Sequence, residues 1–170
     1  IEMFTHLNLT TSASFTNGEV VSGATSGAKG IVQNVTANQS GAVTSISAAN
    51  PGVVTLNGHG YTDGQQITLT GGSFQIDSTA YTEGVYTVRN ATTNTFELYS
   101  ADGTTAQNVT SFSSAPSAAH TVVVLSNVEG TFSAGEVVSG QSSSASGTIQ
   151  ADTLGFKGVR TREISSVKQV

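Results

Sequence analysis

The sequence predicts an all-β protein, and three observations predict it. Charged residues make up only 10% of the 170 positions, and Ser, Thr, Gly, Asn and Gln take their place. Val, Ile and Thr recur in short runs, which suit a pleated, half-buried surface, whereas disordered chains are rich in charge and poor in β-branched residues. The runs are separated by residues that turn the chain: Asn57-Gly58, Asp63-Gly64, Gly71-Gly72, Asn94 and Asp102-Gly103. Such residues tolerate positive φ.

The elements follow in chain order. "FTHLNLT" at 4–10 reads as a strand. "FTNGEVVSGATSGAKGIVQ" at 15–33 then reads as a β-hairpin, strand, Gly/Ser turn and strand, and "GAVTSIS" at 41–47 as a further strand. Val53–Leu56, Gln66–Thr70, Val85–Arg89 and Thr95–Tyr99 follow as strands, with alternating apolar residues such as Ile67 and Leu69 or Phe96 and Leu98. "HTVVVLS" at 120–126, "FSAGEVVSGQSSSASGTIQ" at 132–150 and "GVRTREI" at 158–164 close the series.

The two hairpin phrases are one phrase written twice. At an offset of 117 they share 11 of 19 positions, among them Phe15/Phe132, Gly18/Gly135, Glu19/Glu136, Gly23/Gly140, Ser26/Ser143 and Gln33/Gln150. Val32 aligns with Ile149, but Ile31 aligns with Thr148. Neighbouring strand residues point to opposite faces, so Val32 and Ile149 are expected in a core and Ile31 and Thr148 outside it. Phe15 and Phe132 are expected to plug that core. Each copy alone is marginal for a core at about 50 residues without disulfides or metal. The copies are therefore expected to pair, forming a split β-sandwich or barrel from residues 1–49 and 118–170. Residues 50–117 are expected to form a small antiparallel β-barrel inserted between them.

Composition narrows the function classes. The chain has no cysteine, so neither a disulfide nor a thiolate metal site can form. Its longest apolar run, Val122–Leu125, is far too short to span a membrane. Residues 1–156 carry two basic and ten acidic side chains, while 157–170 carry four basic and one acidic. An acidic body disfavours nucleic acid as a partner, since phosphate binding needs a basic face. The basic end is expected either to dock on an acidic neighbour, with Lys157, Arg160, Arg162 and Lys168 as its interface residues, or to be a solvated terminal strand. The chain begins at Ile1, and it is expected to be a fragment, a processed product or a segment of something larger.

The phrase "HGYTDGQQITLTG", followed by "GVYTVRNATTNTFEL", resembles the small β-barrel module of tailed-bacteriophage virion proteins. The flanking pattern F-x-x-G-E-x-V-x-G is similar to hairpins of marine and cyanobacterial phage structural proteins. The resemblance implies a non-enzymatic virion component, tail-associated or on the capsid surface. Its partners would be copies of itself and other virion proteins, without a cofactor.

Other chemistries have weaker signals. His59, near Asp63, could form an acid–base couple, but no nucleophile is marked and a structural role is expected. Asp63, Asp77, Glu83 and Asp102 lie in expected loops but lack the spacing of a calcium loop, so no metal is expected. Glu19 and Glu136 are expected to cap turns or pair across strands. Five N-x-S/T sequons, at Asn8, Asn34, Asn38, Asn90 and Asn108, are what a Ser/Thr-rich chain supplies by chance. Tyr61, Tyr81, Tyr86 and Tyr99 raise the alternative of a receptor- or glycan-binding module with a stacking platform, against which core packing is the default.

Overall fold

The computed structural model describes residues 2–151 and 159–164. They hold thirteen strands: β1 (Glu2–Leu9), β2 (Val20–Gly23), β3 (Lys29–Ala42), β4 (Ser45–Ile46), β5 (Val53–Thr55), β6 (Gln66–Ile76) and β7 (Thr79–Arg89). The series continues with β8 (Thr95–Tyr99), β9 (Val109–Ser114), β10 (Ser117–Glu129), β11 (Val137–Gly140), β12 (Ser146–Thr148) and β13 (Val159–Ile164). All pair antiparallel, in the order β12-β11-β2-β3-β10-β6-β7-β8-β5-β4; β1 lies on β10, β13 on β1 and β9 on β6.

The all-β expectation holds, but the strands make one large sheet that is not closed into a barrel. β10 is the reason. Its first residues pair with β6, as Ala118↔Leu69, while the same stretch pairs with β3, as Ala118↔Gly41. The ladder therefore runs from one region to the other without an edge, and the expected separate small barrel does not form. The far end of the sheet returns to β1 through a single bridge, Leu9↔Ile149, flanked by the bonds Thr10 N→Thr148 O and Gln150 N→Asn8 O.

Two apolar cores sit on this sheet. One gathers Leu7, Leu9, Phe15, Val32, Leu125 and Phe132; the other gathers Tyr61, Ile67, Phe74, Val88, Phe96 and Leu98. Val43, Ile46 and Ala118 belong to the second core although they lie outside residues 50–117. The period-two reading holds where one face is buried: Phe96 and Leu98 point in along β8, and Val32 and Ile149 are buried while Ile31 and Thr148 are partly exposed.

Gly71-Gly72 does not end its strand. Both glycines are left-handed, at φ 74° and 71°, and they make a bulge in β6 where the pairing with β7 shifts between Thr70 and Phe74. A Cβ on Gly72 would lie 2.5 Å from the Pro116 nitrogen, so only glycine fits there. β6 runs on to Ile76 and turns through Asp77 and Ser78, both at positive φ, into β7. That is the geometry of a two-residue primed turn, formed without a glycine.

Candidate functional site

The repeated residues converge on one place. β2 of the first copy pairs with β11 of the second, with Ser22 opposite Ser139 and Val138↔Gly23 and Gly140↔Val21 on either side. Ser22 and Ser139 are equivalent positions, so a local two-fold axis passes between them. Ala24 N→Val137 O and Gln141 N→Val20 O, both 2.9 Å, extend the ladder symmetrically.

Each copy's glutamate crosses this axis. Glu19 accepts hydrogen bonds from Ser142 N (3.0 Å), Ser143 N (2.9 Å) and Ser143 Oγ (2.7 Å) of the second hairpin, and from Thr16 N (2.6 Å) of its own. Glu136 accepts from Thr25 N (3.0 Å), Ser26 N (2.9 Å) and Ser26 Oγ (2.7 Å) of the first hairpin, and from Ser133 N (2.7 Å). The two sets differ by no more than 0.1 Å at equivalent bonds. The serine hydroxyls in turn accept from Ala28 N and Ala145 N, each at 3.1 Å. Turn-capping by these glutamates was expected; that each caps the other copy's turn was not.

The joint explains why the motif repeats as it does. A Cβ on Gly23 would lie 2.5 Å from Ser26 Oγ and 2.6 Å from either Glu136 oxygen. A Cβ on Gly140 would lie 2.6 Å from Glu19 Oε2 and 2.7 Å from Ser143 Oγ. Behind the ladder, Phe15 and Phe132 are buried, and each hairpin lies on the other copy's leading strand, with Val32↔Leu125 and Ile149↔Leu9. The two copies are thus exchanged as well as paired.

The carboxylates are buried, each about 5% exposed. Burial alone would raise the Glu19 pKa, but the bonds from Ser143 Oγ, Ser143 N, Thr16 N and Ser142 N outweigh it and hold the group at about 2. Glu136 is lowered by the matching balance, burial against donation from Ser26 N, Ser133 N, Ser26 Oγ and Thr25 N. Both are therefore anionic acceptors at neutral pH.

The turns of the two copies differ at three positions, and one of them is a left-handed residue. Gly27 has φ 68° in the first hairpin, and Ser144 has φ 59° at the equivalent place in the second. A left-handed non-glycine residue is strained, and glycine relieves that strain at some cost in unfolded-chain entropy. Ser144→Gly is expected to raise stability by about 0.5–1 kcal/mol, read as a higher urea midpoint at unchanged slope. A lowered midpoint would show that the Ser144 side chain does more than endure its backbone.

A second polar cluster joins the two cores. The Gln150 amide, fully buried, accepts from Gln66 N (2.9 Å) and donates to Gly64 O (2.8 Å). The Gln66 side chain accepts from Ala151 N (3.1 Å) and donates to Ala101 O (2.6 Å). Thr68 Oγ1 donates to Thr10 O (2.7 Å), and His120 Nδ1 lies 2.9 Å from Gln66 O. The shared Gln33/Gln150 position hinted at a role, but the first copy's Gln33 only reaches Ser126 Oγ from an exposed site.

Of the expected interface residues, Lys157 and Lys168 lie outside the described residues. Arg160 and Arg162 lie on β13, their backbones opposite His6 and Phe4 of β1. His59 is buried, accepting from Tyr61 N at Nδ1 (2.9 Å), with Nε2 3.2 Å from Thr95 O and its ring against Tyr61 and Phe96. That is a structural environment, as expected. Asp63 caps Ala91 N, Asp77 holds Asn108, and Asp102 closes its own turn with Ser100 and Thr104. Among the described residues, no three such groups converge to hold a metal ion. Tyr61 and Tyr86 are buried, and the Arg89 guanidinium lies 4.9 Å over one face of the half-buried Tyr99 ring. Comparison with protein-family models, curated proteins and solved structures finds no match to this chain.

Proposed function

We propose that the chain is a non-enzymatic structural module of a tailed-bacteriophage virion, tail-associated or on the capsid surface, present in many copies. The observation that carries this reading is the use to which the repeated motif is put. Glu19, Gly23, Ser26 and their counterparts Glu136, Gly140 and Ser143 are all engaged in holding one hairpin to the other. The motif is a fastening, and a chain that spends its repeated residues on fastening suits a wall-building role. The resemblance of both phrases to phage virion modules supplies the particle. Assembly would use strand edges, with the basic strand β13 and the residues Lys157, Arg160, Arg162 and Lys168 meeting carboxylates of a neighbouring subunit. β13 pairs with β1, and unpaired strand edges readily accept another chain.

An antibody raised against the recombinant chain tests the reading. It should decorate intact phage particles, in a regular array, in negatively stained lysates of the infected host. Labelling of the host surface alone would favour an adhesion module, and labelling of neither would remove the virion role.

A further inference from the structure

β10 changes partner at His120. Up to Ala119 it pairs with β6, as Ala119↔Thr68, and from Thr121 it pairs with β1, as Leu9↔Thr121. The pairing with β3 shifts register at the same point, between Ala118 and His120. Where β6 and β10 separate, the backbone of Gln66 is left without a strand on that side. Two side chains replace it. Gln150 accepts the Gln66 N–H, and His120 Nδ1 donates to the Gln66 carbonyl. Since Nδ1 carries the hydrogen, His120 Nε2 presents only a lone pair. It is fully buried and has no hydrogen-bond partner among the described residues.

We propose that His120 is an acid-released latch between the two cores: a proton on Nε2 opens the seam between β6 and β10 while the hairpin joint stays closed. A protonated Nε2 would be a buried, charged donor with no acceptor, which is among the costlier states a core can hold. The titratable group facing the ring is Tyr61, 6.3 Å away edge to face, and His59 lies beyond it against Tyr61. Burial pushes the Tyr61 hydroxyl above its usual range, so it supplies no counter-charge. From β6 and from the segment after β12, the groups at the seam are the neutral amides Gln66 and Gln150. No carboxylate among the described residues offsets a charge on the ring. Burial lowers the His120 pKa, the bond to Gln66 O raises it by less, and the ring is held at about 4 against an ordinary 6.5. The sign follows. A depressed histidine stabilises the closed seam above pH 6.5, and that contribution is lost as pH falls from 6.5 towards 4. The hairpin joint responds only in a lower window, because its glutamates lose their contribution below pH 4.5. From pH 6.5 down to 4.5 the seam therefore loosens while the joint is untouched.

Amide hydrogen exchange on the full chain tests this, with protection factors corrected for intrinsic rates at pH 7 and pH 5. Gln66 N, at the seam, should lose about 20-fold in protection between these pH values, which is what titration from 6.5 to about 4 allows. Val32 N, bonded to Glu19 O in the hairpin core, should change far less. In His120→Asn, whose amide can still donate to Gln66 O, the pH dependence at Gln66 should disappear. Equal loss at Gln66 and Val32 would mean global opening and would overturn the latch, as would no loss at Gln66. A loss that persists in His120→Asn assigns the effect to another group and overturns it too. If that variant does not fold, the wild-type comparison of the two amides still decides.

Discussion

Replacing Glu136 with alanine should lower the unfolding free energy by about 3 kcal/mol, and replacing Glu19 should lower it by nearly the same amount. Each carboxylate accepts four hydrogen bonds, three from backbone N–H groups and one from a serine hydroxyl. A hydrogen bond to a charged acceptor contributes about 1.5–3 kcal/mol, so four of them would sum to far more than 3. The sum is not reached, because the turns lie at the surface and water can replace part of what truncation removes. An ordinary local cap is worth about 1 kcal/mol. The excess over that figure measures the joining of the hairpins. Near-equality of the two effects is the sharper expectation, since it follows from the two-fold arrangement alone. The double variant should cost less than the sum, because both carboxylates close the same β2–β11 ladder and nearby sites couple. Urea unfolding of the four proteins settles it. An effect below 1 kcal/mol at either site, or strict additivity, would show that the glutamates cap turns without joining the copies. Acid should mimic the loss. With folded pKa values below the ordinary carboxylate value, both groups stabilise above pH 4.5; the Glu19 contribution goes as pH falls towards 2, and the Glu136 contribution is lost on the same acid side.

How much of this was legible in the sequence depends on the range of each interaction. Strand identity was legible where one face is buried, as in Thr95–Tyr99, because alternation is a local signal. The pairing of the copies was legible because both Phe-x-x-Gly-Glu phrases kept the same core positions, Val32 and Ile149. The exchange of caps was not. Each hairpin contains both a glutamate and the serine turn that receives one, so capping within a copy and capping across copies read identically. Gly71-Gly72 read as a turn because positive φ is common to turns and bulges, and one of the two strands that carry β6 on past the bulge, β9 on the edge opposite β7, is distant in sequence. The barrel expected for 50–117 failed for a related reason. Closure needs an edge to pair with an edge, and the free edge of β6 is divided: β9 takes Ser73–Ile76, but Thr68–Thr70 is taken by β10, a strand outside that segment. His120 gave no signal at all. In sequence it is one polar residue at the head of "HTVVVLS", and its meaning comes from the carbonyl of Gln66, 54 residues away.

Excising residues 43–116 and joining Ala42 to Ser117 through a four-residue Gly/Asn turn should leave a cooperatively folding β protein. Ala42 and Ser117 are direct partners in the β3–β10 ladder, and Val43 N bonds Pro116 O, so the chain leaves and re-enters this module at one point. The new connection turns β3 and β10 into an ordinary hairpin. Shortening a 74-residue connection to four lowers its closure cost by about 2.5 kcal/mol. Against this, Gln150 and His120 lose their partners at Gln66. Both become solvated once the second core is gone, so neither is left buried and unpaired. The core of Leu7, Leu9, Phe15, Val32, Leu125 and Phe132 keeps every member, and both glutamate caps lie wholly within the retained segments. Cutting at 50 and 117 instead should do worse, because Val43 and Ile46 are nearly fully buried in the second core and would be left facing water. Burying side chains of that size is worth about 1.5–3 kcal/mol each, and exposing them also invites aggregation. The measurement is a thermal melt of both shortened chains, repeated with Glu136→Ala in the 43–116 deletion. A sharp transition that the Glu136→Ala change lowers as it does in the full chain would show that the paired hairpins fold on their own. A broad, featureless melt of the 43–116 deletion would show that the fold depends on the second core.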